Sequence, residues 1–128
     1  MNDTEMRAML IEYMGNGFLD NIIAMFKQDS TLSRFIPELL GDESLRVRLG
    51  ATALVEELVV EHREELKASV PGIIGLLKHE SATIRGDAAS VLGIIKDASA
   101  IDALRMCLHD DHPGVREVAS DALAEIAH

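Results

Sequence analysis

A short grammar that appears three times limits how this chain can fold more than any other feature. It runs as an apolar pair, a polar turn, a β-branched residue followed by Arg, then Ala and aliphatic side chains at helical spacing. The copies are Leu39 to Leu58, Leu76 to Ile95 and Cys107 to Ile126, and their arginines, Arg48, Arg85 and Arg116, lie 37 and then 31 residues apart. Periods of that size belong to helix pairs that stack side by side and share one continuous core. The expected fold is therefore all-α, a right-handed α-solenoid (superhelix) of about four antiparallel helix pairs.

Residues 1–128 are read as a single repeat domain: a divergent capping pair over 1–30, then repeats over 31–67, 68–98 and 99–128. In the first pair Met6, Met9, Leu10 and Tyr13 fall on one helix face, with Asp3 or Thr4 as N-cap, and Gly15-Asn16-Gly17 stops the helix. Phe18, Leu19, Ile22, Ile23 and Phe26 form a second short amphipathic helix. Five of the six methionines, Met1, Met6, Met9, Met14 and Met25, lie in this pair. Flexible thioethers suit an adaptable docking surface or the imperfect gaps of a cap, and the atypical character of terminal repeats favours the cap. In the next repeat, helix A spans Leu32 to Leu40 and helix B runs from Ser44 beyond Val60. An insertion between Val59 and Ala68 is expected to lengthen helix B and turn Glu56, Glu57, Glu61, Glu64 and Glu65 to solvent. The third pair opens at Pro71, with Ser81 capping helix B from Ala82 to Lys96. The last has helix A from Ser99 to about His109 and helix B from Pro113 to Ala127.

A chain of 128 residues buries roughly two thirds of its unfolded surface without help from a metal or a disulfide. Apolar residues make up 48% but aromatics only 3%, so Leu, Ile, Val, Met and Ala must build the core. The lone cysteine, Cys107, allows no internal disulfide and suits a reducing compartment. No apolar stretch approaches the length of a membrane span, so a soluble, cytoplasmic protein is expected. The net charge is -10. Since neutralised phosphates supply most nucleic-acid affinity, that balance argues against DNA or RNA. A basic protein partner fits it better, although solubility alone also accounts for the acid. The repeat over 68–98 is the least charged, between two acidic ones.

Three runs carry a resemblance to the HEAT-repeat family, in the short form named for phycobilisome lyases: Ile73-Ile74-Gly75-Leu76-Leu77, Ala82-Thr83-Ile84-Arg85-Gly86-Asp87-Ala88-Ala89, and Asp110-Asp111-His112-Pro113-Gly114-Val115-Arg116. The match extends from about Leu32 to His128. It implies a hydrogen-bond ladder between repeats, built from the turn Asp and the Arg six residues later, here Asp42 with Arg48 and Asp110 with Arg116. The middle repeat has His79 in place of that Asp, which leaves Arg85 without its carboxylate and makes this repeat the expected place to flex or titrate. These arginines are read as structural.

The resemblance also implies two kinds of function. One family member, the di-iron enzyme deoxyhypusine hydroxylase, carries His-Glu pairs directly after the repeat Arg. The matching positions here are Leu49-Gly50, Gly86-Asp87 and Glu117-Val118, which cannot supply them. Cys107, His109 and His112 have zinc-ligand atom types, but Cys107 falls at an apolar helix position. Glu125 and His128 are spaced i, i+3, a weak pair at a chain end. No catalytic residues, metal or cofactor are assigned, and the chain is read as a non-catalytic scaffold or adaptor. A bilin lyase-like or metal-dependent enzyme is the alternative. In such stacks the B helices line the concave surface, which makes Glu56, Asp87, Ser90, Glu117, Asp121 and Glu125 the candidate protein-binding residues. The broad apolar girth of the last helix, with Val115, Val118, Ala119, Ala122, Leu123 and Ile126, leaves room for a homodimer.

Overall fold

The computed structural model describes residues 1–127, and every regular element among them is helical. Two compact units are present, Met1–Ser69 and a second that begins at Val70.

The first unit contains α1 (Asp3–Gly15), α2 (Leu19–Gln28), a 3₁₀ turn η1 (Ser30–Phe35), α3 (Ile36–Leu40), α4 (Leu45–Glu61), α5 (Arg63–Leu66) and η2 (Lys67–Ser69). Asn2, rather than the expected Asp3 or Thr4, caps α1, accepting the Glu5 N–H at 2.8 Å. The buried stripe of α1 is Leu10 and Met14, whereas Tyr13 points outward against the exposed Phe18 ring, 5.7 Å away between centroids. Gly50 on α4 explains the rotation. A Cβ there would collide with Met14 Sδ, so the missing side chain makes the notch that the thioether fills. Helix A of this repeat is split, with η1 leading into α3, and Leu32, Phe35, Ile36, Leu39 and Leu40 buried along it. Ser44 caps α4 through the Val47 N–H, and Val47, Ala51, Leu54, Val55 and Leu58 face the core as their spacing predicts. The insertion does not simply lengthen α4. The helix ends at Glu61, His62 forms its C-cap, and the separate turn α5 buries Leu66 completely. Glu56, Glu57, Glu61, Glu64 and Glu65 are all exposed, as expected.

The second unit contains α6 (Val70–Leu76), α7 (Ala82–Ile95), η3 (Ala98–Ala100), α8 (Ile101–Cys107) and α9 (Pro113–Ala127). Pro71 lies in the first turn of α6, and Pro113 opens α9, positions where a missing N–H costs little. Ser81 caps α7 through the Ile84 N–H. The core is small and aliphatic, with Ile84, Ala88, Ala89, Val91, Leu92 and Ile95 from α7 meeting Val115, Ala119 and Ala122 from α9.

The repeated arginines do the same local work in every copy. Nη1 of Arg48 donates to the carbonyls of Asp42 and Glu43, that of Arg85 to His79 and Glu80, and that of Arg116 to Asp110 and Asp111. Each guanidinium thus holds the turn in front of its own helix through main-chain oxygens. The turn side chain closes the turn from the other side, with an oxygen of Asp42 accepting Ser44 N–H and one of Asp110 accepting His112 N–H. His79 substitutes for Asp in this task, because its Nδ1 accepts Ser81 N–H at 3.0 Å.

The carboxylate partner differs from the expected ladder. Arg85 donates from Nε and Nη2 to the two oxygens of Asp110, at 2.9 and 3.0 Å, a bidentate pair between α7 and the turn that opens α9. Arg85, expected to lack a carboxylate, therefore has one. This rung runs from the Arg of one repeat to the turn Asp of the next, while contact within a repeat goes to carbonyls. Hydrogen bonds from Arg85, and then from His112 N–H, hold the Asp110 carboxyl below its ordinary range.

Candidate protein-binding groove

α7 and α9 approach so closely that a Cβ on Gly93 would stand 2.9 Å from Ala122 Cα. Only a pair of very small side chains permits that spacing, and the contact makes a floor from which the flanking residues rise as walls. Two adjoining hollows result, sharing Ser90 and Val118. One, of about 360 Å³, is bounded by Ser90, Gly93 and Ile94 of α7 and by Val118, Asp121, Ala122 and Glu125 of α9. The other, of about 340 Å³, is bounded by Ala82, Thr83, Gly86, Asp87 and Ser90, with His112, Gly114, Val115 and Val118 opposite.

Of the six candidate binding residues, this groove collects four: Asp87, Ser90, Asp121 and Glu125. Asp87 is half-buried and the other three are exposed. Glu117 is exposed on α9 but does not line either hollow, and Glu56 is exposed on α4 in the first unit. Three carboxylates therefore line one trough, and Lys96 brings a cation to its end, with Nζ 3.8 Å from Glu125 Oε2. Sequence reasoning missed the groove walls Ile94 and Val118 and the rim residues Thr83 and His112. The small residues Gly86 and Gly93, one on each hollow, were the available signal.

The face of α4 is different. Leu45, Leu49 and Val60 are 57%, 62% and 77% exposed, so large apolar side chains share the surface of that helix with its glutamates.

Cys107 is buried, as an apolar helix position requires, and burial pushes its thiol up in pKa, with the Asp110 charge adding to the effect. It lies at the base of a third hollow of about 270 Å³ between α6 and α8, lined by Ile74, Leu77, Lys78, Ala103, Met106 and Asp110. A buried, protonated thiol is a poor nucleophile and a poor metal ligand. Its proposed zinc companions are occupied elsewhere or turned out: His112 Nδ1 accepts Gly114 N–H, and His109 is exposed. Among the described residues no three His, Cys, Asp or Glu side chains converge to hold a metal ion. The Glu125–His128 pair involves a residue outside those described. No helix among the described residues is long and apolar enough to cross a membrane.

Comparison with known proteins accords with this geometry. A family model described as HEAT repeats matches residues 32–124. A designed armadillo repeat protein superposes with a TM-score of 0.53 at 21% identity, covering 81% of this chain and 50% of that one, a likeness that shows the α-solenoid fold. Deoxyhypusine hydroxylase-B of Oryza sativa subsp. japonica is 42% identical over 62 residues, which is 47% of this chain and 20% of that protein. The chain thus spans about a fifth of the length of the curated relative it matches.

Proposed function

Because the chain belongs to the HEAT-repeat family, we propose that it is a non-catalytic adaptor that takes a basic segment of a protein partner along the α7–α9 groove. The observation that carries this reading is the placement of Asp87, Asp121 and Glu125 around one trough with a small-residue floor. Carboxylates on a concave surface concentrate field lines and complement Lys or Arg on an incoming chain. The experiment is a fluorescence-anisotropy titration with labelled hexalysine at low ionic strength. Reversing Asp87 and Asp121 to Lys should weaken binding by about tenfold or more with the helical circular-dichroism spectrum retained. Reversing Glu57 and Glu61 on α4, an equal change in net charge, should weaken it far less. Equal losses from the two pairs would reduce the effect to overall charge and sink the reading.

The relative's name favours a second reading, a hydroxylase, for which the family resemblance implies a metal site. The donors present do not fit an iron pair built after the repeat arginines. Those positions hold Leu49-Gly50, Gly86-Asp87 and Glu117-Val118, which supply no imidazole, and Glu117 stands outside the groove that Asp87 lines. Elemental analysis of purified protein separates the readings, since stoichiometric iron would support the enzyme and contradict the adaptor.

A further inference from the structure

Lys96 holds two unusual positions at once. It caps the end of α7 with φ 60°, and among the described residues it is the one non-glycine in the left-handed region. Glycine or asparagine ordinarily takes that place, since a side chain there crowds the backbone. From this cap its ammonium reaches across to Glu125 on α9, at 3.8 Å, and Glu125 lines the groove beside Ser90, Gly93 and Asp121. A residue disfavoured by its backbone thus brings a cation to the end of an acidic trough.

We propose that Lys96 is a built-in competitor for the groove. Its ammonium occupies the Glu125 end in the free protein, and a Lys or Arg of the bound segment displaces it. This rests on the groove being the binding surface. It deepens that reading by identifying a cation subsite at Glu125 and a restraint on its use. The lysine occupying the subsite is itself a primary ammonium, so the partner group expected there is of the same chemistry. Since the pair is largely solvent-exposed, the restraint is mild and readily displaced.

The same hexalysine titration tests it. Lys96→Met should tighten binding about two- to fivefold, while Lys78→Met, the same charge change on the turn after α6, should leave it nearly unchanged. Glu125→Gln should weaken binding and erase the difference between Lys and Met at position 96, as a double-mutant cycle demands of a direct pair. Lys96→Gly should raise the thermal midpoint by relieving the left-handed backbone and also tighten binding, a combination that a purely structural tether between α7 and α9 would not give. Equal tightening by Lys96→Met and Lys78→Met, or a gain from Lys96→Met that survives Glu125→Gln, would overturn the competitor while leaving the groove reading intact. A wild-type chain that ignores hexalysine, or binds it without regard to Asp87 and Asp121, would overturn both.

Discussion

α4 and α7 hold the same place in successive repeats, yet they solve the packing problem in opposite ways. α4 takes a long, flexible side chain into a notch, Met14 over Gly50, and leaves Leu45, Leu49 and Val60 in the open. α7 meets backbone instead, Gly93 against Ala122, and shows Gly86, Asp87 and Ser90 along its outer face. A thioether can yield where a Cα cannot. The first arrangement tolerates change and offers no fixed spacing, whereas the second fixes the distance between two helices and so fixes the width of a groove.

The contrast can be broken most forcefully at the ladder. Arg85→Ala removes a bidentate carboxylate pair and the tie to its own turn, and should lower Tm by about 5–10 °C. Arg116→Ala, which loses the bonds to Asp110 and Asp111 carbonyls, should cost about half as much. Similar losses by differential scanning calorimetry would mean that the Asp110 pair contributes little. Next in size is the helix contact. Gly93→Ala must push α9 away and should destabilise by about 1–2 kcal/mol despite the better helix propensity of Ala. Gly50→Ala displaces the Met14 side chain, Cγ as well as Sδ, but no backbone, and with the gain in propensity offsetting part of the repacking it should cost less than Gly93→Ala, about 1 kcal/mol or below. Urea unfolding of the two variants decides whether backbone or side chain is the harder neighbour.

A smaller effect follows from acid. The folded-state pKa of Asp110 lies below its ordinary value of 3.8, so its contribution is complete above that value and is lost as pH falls toward the lower folded pKa. Asp110→Asn should therefore be less stable than wild type at neutral pH and converge on it below about pH 4. Parallel curves down to about pH 2 would contradict the Arg85 pairing. Gly86→Ala, where a Cβ would meet nothing within 4 Å, carries the opposite sign, with an expected gain of about 0.5–1 kcal/mol. Opposite signs for Gly86→Ala and Gly93→Ala, two positions on one helix, would sharpen the picture of which glycine is there for contact.

Much of the fold was legible because each repeat carries its own punctuation. Ser44 and Ser81 cap where a Ser before an apolar run should, prolines open helices, and Val47, Ala51, Leu54, Val55 and Leu58 face inward at helical spacing. Features that depend on a residue far away were not. Tyr13 and Met14 are apolar neighbours, and Gly50, on another helix, decides which one is buried. His62 ends α4 in the middle of a run that reads as continuous helix. The ladder is hard to read for a related reason. Asp and Arg six residues apart look like partners, but the short turn places the carbonyl near its own Arg and leaves the Asp110 carboxylate for the repeat before. His79 looks like a gap in the pattern, whereas imidazole Nδ1 and carboxylate oxygen both serve as acceptors for the N–H two residues on. Four of the six candidate binding residues share the groove because B-helix faces repeat with the sequence, but its width depends on the Gly93–Ala122 contact, which composition alone does not disclose.

The most direct test of the central claim is an amide NMR titration of the intact chain with unlabelled hexalysine. α4 and α5 present five exposed glutamates, Glu56, Glu57, Glu61, Glu64 and Glu65, against three groove carboxylates, so charge density and groove shape make different forecasts. Shifts concentrated on Asp87, Ser90, Gly93, Val118, Asp121 and Glu125 are the predicted result. Shifts centred on the α4–α5 glutamates, with the α7–α9 amides unmoved, would contradict it.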